Sequence, residues 1–169
     1  MSNATSPPSG PQSHGLLKDK VVVITAAAGT GIGSSVSRRC IEEGATVVIS
    51  DFHERRLAKA AAVLLEETGQ QVVTAVCDVT RQDHIDGLFE TALAAHGRVD
   101  VLINNAGLGG TMDLIDMTDD AWHRVMDVTL HSTMRAMRAA LRVMKQQDSG
   151  GVIVNNASVL GWRAQKGQS

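Results

Sequence analysis

Short runs of β-branched and aliphatic residues alternate along this chain with longer stretches of helical period. Residues 21–25 form an unbroken apolar run, the kind a central strand needs when both its faces are covered. Similar runs at 46–50, 72–77, 99–103 and 151–155 predict four more strands. Between the first two, Ile32, Val36, Cys40 and Ile41 share a helix face with Arg38 and Arg39 off it, and Gly44 stops the run. Residues 54–68, rich in alanine and leucine and closed by Gly69, predict a second helix. Thr80 and Asp83 stand at capping-box spacing and open a third helix, running to about Ala95 with Gly97 beyond it. Thr118, backed by Asp119 and Asp120, caps a long helix on which Trp122, Met126, Leu130, Met134, Met137 and Leu141 recur at helical spacing.

Strand and helix alternate throughout, and right-handed crossovers then yield an α/β fold: one doubly wound parallel sheet with helices on both faces. All three prolines, Pro7, Pro8 and Pro11, lie in a Ser/Gly/Asn-rich opening. Too little apolar surface is available there to order it, so residues 1–14 read as a disordered tail and 15–169 as a single domain.

Composition narrows the function. With 169 residues and 43% hydrophobic content, the chain can bury one continuous core. A formal net charge of -2 provides no field for a phosphate backbone, and 2% aromatics leave no stacking platform, so nucleic acid is not an expected partner. Cys40 and Cys77 lack metal or redox spacing and read as reduced packing residues. The six histidines show no metal spacing, so no metal is expected. No leader or membrane-spanning run is evident, which leads to the expectation of a cytoplasmic protein without a membrane partner.

The chemistry begins in the turn after the first strand, Ala26-Ala27-Ala28-Gly29-Thr30-Gly31-Ile32-Gly33. Glycines there let a diphosphate approach backbone N–H groups, and the following helix N-terminus attracts its charge. The spacing does not match GxGxxG, and taken alone it fits a tight strand-to-helix turn as well as a nucleotide site. Asp51, at the end of the second strand, stands where a carboxylate accepts hydrogen bonds from an adenosine ribose and repels a 2′-phosphate, which favours NAD over NADP. The same residue reads equally as a cap for the helix near Glu54, and Arg55 and Arg56 lie close enough to soften the preference.

Residues 25–33, Asp78-Val79, Asn104-Asn105-Ala106-Gly107, Asp127-Val128-Thr129-Leu130 and Val154-Asn155-Asn156-Ala157-Ser158 resemble, in order and separation, the landmarks of the short-chain dehydrogenase/reductases. The resemblance implies a Rossmann fold in which Gly29, Thr30, Gly31, Ile32 and Gly33 hold the pyrophosphate and Asp51 the ribose. It also implies that Asp78 and Val79 flank the adenine, that Asn105, Ala106, Gly107 and Val128 line the cofactor cleft, and that Ser158 is the catalytic serine. Thr129 stands where the family commonly has an asparagine of the proton relay, so a hydroxyl replaces an amide. The turn departs as well, because Thr25 is followed by Ala26 instead of glycine and the interval to Gly31 is one residue longer.

A Tyr-x-x-x-Lys pair follows the serine in the family, since the oxyanion left by hydride transfer needs a proton from an acidified tyrosine. This sequence contains no tyrosine. The expectation is a chain truncated before that pair, either part of a longer product or a marginal fragment with apolar surface exposed near the fourth and fifth strands. The implied activity is an NAD(P)-dependent oxidoreductase interconverting a secondary alcohol and a ketone, of 3-oxoacyl or steroid-derived acyl-CoA type. The alternative is a non-catalytic dinucleotide-binding module. A P-loop hydrolase is excluded, because Ser34 and Ser35 follow Gly33 in place of Lys-Ser/Thr. By resemblance, the full-length product would form a homodimer or homotetramer through the helix beginning at Thr118. The loop Gly161-Trp162-Arg163-Ala164-Gln165 reads as facing substrate or as merely structural.

Overall fold

The computed structural model describes residues 10–163 and 165–167. Five strands, β1 (Val21–Ile24), β2 (Thr46–Asp51), β3 (Val73–Val76), β4 (Val101–Asn104) and β5 (Val152–Asn155), form one parallel sheet in the order β3-β2-β1-β4-β5. Strand order reverses beside β1, so the crevice beyond the carboxyl ends of β1 and β4 is where open α/β sheets bind ligands.

Alternation along the central strands distributes the core over two layers. Val22, Ile24, Val47 and Ile49 pack with Cys40, Ile41, Leu57 and Leu64 from α1 (Ile32–Glu42) and α2 (Glu54–Thr68). On the other face, Val23, Val48 and Leu102 meet Ile85, Leu88 and Phe89 of α3 (Gln82–His96). Ala136, Ala139, Ala140 and Met144 of α5 (Ser132–Met144) complete that layer. Residues 22–24 and 47–49 are wholly buried, which is why these strands read as continuous apolar runs. Val152 and Val154 of the edge strand β5 are 57% and 45% exposed, in line with the apolar surface expected near the fourth and fifth strands.

Several local readings are corrected. Ile32 is 61% exposed, whereas Gly33, Ser37, Cys40 and Ile41 form the buried side of α1 and Val36 packs against the core beside them. Thr80 does not cap α3: its hydroxyl donates to Asp78 Oδ1 at 2.7 Å, while Asp83 pairs with Arg81. Thr80 N also donates to Asp78 Oδ1, at 3.0 Å, which folds residues 78–80 into a local turn, and Arg81 is the residue that precedes α3. The long helix capped by Thr118 is not uniform either. It comprises α4 (Asp119–Met126), a π-helical turn over Asp127–His131, and α5. Such wide turns are common at functional sites.

Residues 1–9 of the expected tail lie outside the described residues. Just before its end, the chain lies along the C-terminal end of α1. His14 N and Leu16 N donate to Glu43 Oε2 at 2.9 and 3.0 Å, and Arg39 donates to the carbonyls of Pro11 and Gln12. Glu43 is buried and also bonded to Arg39. The amides of Leu16 and His14, helped by Arg39 and opposed by burial, lower its pKa to about 2.

Candidate cofactor site

The turn between β1 and α1 is shaped by its departures from glycine. Ala26 has φ +51°, a left-handed conformation that costs an L-residue about 1–2 kcal/mol. It is held by Asn105 Nδ2, which donates to Ala26 O at 3.0 Å, and by Ala27 N, which donates to Ser50 O at 2.9 Å. Gly33 is required on steric grounds. A Cβ there would collide with Ala26 O and lie 2.9 Å from Ala27 Cα and 2.7 Å from Asn105 Nδ2. At Gly29 and Gly31 a Cβ would meet nothing within 4 Å, so this stretch faces open space. Among the described residues, the backbone amides from Gly29 to Ser34 donate to no protein acceptor.

Asp51 closes β2 beside this turn and is 8% exposed. Its Oδ2 accepts from Ala28 N at 3.2 Å and its Oδ1 from His53 N at 3.0 Å. Asp51 is not the cap of α2: His53 precedes that helix, no side chain caps it, and Asp51 instead accepts from the His53 amide while lining the crevice.

A cleft of about 660 Å³ opens at the carboxyl edge of the sheet. Of the residues expected in a site, it gathers Asp51, Asp78, Val79, Ala106, Gly107 and Val128. Gly29 and Thr30 face a second cavity, and Gly31, Ile32, Gly33 and Asn105 line neither. Asn105 supports the site from behind. Its amide donates to Thr25 O and Ala26 O, its N and Ala106 N donate to the buried Thr25 hydroxyl at 3.0 and 3.1 Å, and its Oδ1 accepts from Asn156 at 3.0 Å. The Asn-Asn-Ala-Gly run thus fastens the end of β4 to that of β1.

Phe52, Arg124 and Asp127 also line the cleft, and none of them carries a role in the sequence reading. Asp127 begins the π turn, where Arg135 lies 2.6 Å and His131 Nδ1 3.4 Å from its carboxylate. The Arg135 hydrogen bond holds that carboxyl below the usual range. The i+4 and i+8 spacing of His131 and Arg135 was the available signal. Cys77 forms part of the wall; burial, reinforced by the Asp78 charge, pushes its thiol up to about 12, an inert packing group.

Thr129 and Ser158 line neither cavity. The Thr129 hydroxyl accepts from Leu108 N at 3.2 Å, fastening the loop after β4 to the π turn. Ser158 is exposed, and its hydroxyl accepts from Leu160 N at 3.2 Å, capping a short 3-10 turn over Val159–Gly161. Of the proposed substrate-facing loop, Trp162 is 84% exposed and Ala164 lies outside the described residues. Among the described residues, no helix is long and apolar enough to cross a membrane, and no three His, Cys, Asp or Glu side chains converge as a metal site.

A parallel sheet with its crevice at the β1/β4 switch point, a glycine turn with free amides and an acidic end to β2 define a dinucleotide-binding α/β protein. Residues 20–169 match the family model for short chain dehydrogenase, and the chain belongs to that family. It is 60% identical over 156 residues to the (5R,7aS)-5-hydroxy-7a-methyl-1-oxo-2,3,5,6,7,7a-hexahydro-1H-indene-carboxyl-CoA reductase of Mycobacterium tuberculosis, covering 92% of this chain and 60% of that protein. It is 36% identical over 153 residues to 3beta-hydroxysteroid dehydrogenase 2 of Eggerthella lenta, covering 90% of this chain and 58% of that protein. The crystal structure of a short chain dehydrogenase from Mycobacterium smegmatis superposes with a TM-score of 0.92 at 56% identity, covering 96% of this chain and 68% of that one. The chain thus spans about 60% of the length of the curated relatives it matches.

Proposed function

We propose that this chain forms the cofactor half of an NAD-linked oxidoreductase that interconverts a secondary alcohol and a ketone on a fused-ring acyl-CoA. The observation that carries the reading is the buried Asp51 carboxylate lining the cleft beside a turn whose amides are free. The residues fit a dinucleotide. Free N–H groups at the start of α1 suit a diphosphate, and a carboxylate at the end of β2 suits ribose hydroxyls while opposing a 2′-phosphate. Asp78 and Val79 would border the adenine, and Ala106, Gly107 and Val128 the cleft toward the nicotinamide. Gly29, Thr30, Gly31, Ile32 and Gly33 would carry the diphosphate over the crest of the turn, with Asn105 holding that crest in shape.

When bound, the dinucleotide supplies or accepts the hydride. Ser158 would hold the substrate oxygen by a hydrogen bond, giving up its contact with Leu160 N to do so. Thr129 would position the loop through Leu108. The sequence contains no tyrosine, the residue type that the family resemblance implies for proton delivery. The fused-ring substrate class is supported by the printed names of the Mycobacterium tuberculosis and Eggerthella lenta relatives.

A second reading, a dinucleotide-binding module without chemistry, is favoured by the absent tyrosine and by the engagement of both hydroxyls with backbone. One experiment separates the two. In a polypeptide of the relatives' length, Ser158→Ala should lower kcat for NADH-dependent ketone reduction at least about a hundredfold, with NADH affinity unchanged. Undetectable turnover in the unmutated polypeptide alongside tight NADH binding would favour the module.

A further inference from the structure

The turn between β3 and α3 is fastened at Asp78. Arg81 N donates to Asp78 O at 3.0 Å, and Asp78 Oδ1 accepts from the amide and the hydroxyl of Thr80 at 3.0 and 2.7 Å. One residue earlier, Cys77 N donates to Asp51 O at 2.9 Å. The last polar group of the Asp78 backbone, its N–H, donates to Nδ1 of His84 at 3.2 Å. His84 is the third residue of α3, and helical side chains lean toward the N-terminus, so its ring covers the turn that precedes the helix. Its setting is firm: Ile85 beside it is wholly buried, and Gln82 bonds to Asp86 and to Arg138 of α5. His84 itself lines neither cavity. An imidazole accepts only through a bare nitrogen, so this bond puts the ring's hydrogen on Nε2.

We propose that His84 is a positioning residue for the cleft: its unprotonated Nδ1 anchors the Asp78 amide, and through it the Asp78-Val79 edge that would border the adenine. The inference rests on the dinucleotide reading of the cleft and adds to it a residue outside the cleft wall. Among the described residues, Asp78 Oδ2 and Val79 N have no hydrogen-bond partner in the protein, so this part of the wall keeps one free acceptor and one free donor. Adenine presents the complementary pair, an amino donor beside a ring acceptor, and hypoxanthine presents the reverse. His84 is the acceptor of the Asp78 N–H, and its loss leaves a backbone donor unpaired. The turn then shifts to find another acceptor, and both free groups shift with it.

Calorimetry near neutral pH compares NAD+ with nicotinamide hypoxanthine dinucleotide in the 169-residue chain, in His84→Ala, and in His84→Asn, whose Oδ1 restores an acceptor at the place of Nδ1. His84→Ala should weaken NAD+ about fivefold, the effect of one hydrogen bond, and leave the hypoxanthine dinucleotide nearly unaffected, while His84→Asn keeps the parental affinity for NAD+. Equal weakening of both dinucleotides, or an asparagine variant as weak as the alanine one, would reduce the ring to packing and overturn the proposal. Unchanged NAD+ affinity in His84→Ala would also overturn it while leaving the cleft reading intact, whereas a parent that binds neither dinucleotide would sink both. Nitrogen-15 spectra of the parent chain require no variant to fold: they should show the hydrogen on Nε2 and a coupling between Nδ1 and the Asp78 N–H. A hydrogen on Nδ1 would overturn the proposal.

Discussion

The Asp51 carboxylate accepts a hydrogen bond from Ala28 N at 3.2 Å, joining the end of β2 to the glycine turn 23 residues earlier in the chain. This contact ties the acidic group to the turn whose following amides are free. In the proposed reading, a ligand that uses the turn for its phosphates would meet Asp51 next, and its discrimination would follow from that proximity.

Ala26 is held at φ +51° where a glycine would rest without strain. Ala26→Gly should therefore raise stability by up to about 1 kcal/mol, the relief of left-handed strain less the entropy a glycine gains in the unfolded chain. Urea unfolding measures it. An unchanged or lowered midpoint would mean that the turn relaxes around alanine at no cost.

Gly33 has the opposite requirement. The atoms that would meet a new Cβ include backbone of Ala26 and Ala27, which cannot rotate away as a side chain can. Gly33→Ala should cost about 1–3 kcal/mol by forcing α1 off the turn, and it should weaken dinucleotide binding in parallel. Wild-type stability in the same urea titration would contradict the packing described here.

Glu43 sets a pH dependence. Its pKa falls from the usual 4.5 to about 2 in the folded chain, where the amides of Leu16 and His14 bond its carboxylate. The unfolded chain therefore binds the extra proton first as pH drops. The stabilisation is present above about 4.5 and is lost progressively as pH falls through about 2. Glu43→Gln should be less stable than the parent at neutral pH, with the gap narrowing steadily across that acid window in thermal unfolding curves. A gap independent of pH would remove the carboxylate from the account.

The sheet was legible because its central strands are buried on both faces, so 21–25 and 46–50 read as unbroken apolar runs within one residue of their true ends. Asp51 was legible for the same reason: a carboxylate directly after a buried strand has few places to go except the strand-end crevice. Other features depended on local detail that spacing does not record. Thr80 is drawn into a turn with Asp78 and Arg81 precedes α3 instead, and Ile32 is exposed although Gly33 beside it is buried. The π turn arises within a sequence of ordinary helical period, and it carries Asp127 and Val128 to the cleft wall. Arg56 drew attention only as a nearby charge; that it lines two cavities follows from how α1 and α2 pack.

The central claim is that Asp51 selects the cofactor at this crest, and the ratio of NAD+ to NADP+ dissociation constants tests it most directly, in the parent chain and in Asp51→Asn. The parent should bind NAD+ more tightly by at least about tenfold, and the variant should lose most of that difference by gaining NADP+ affinity. Tighter binding of NADP+ by the parent, or a ratio that Asp51→Asn leaves untouched, would contradict the account.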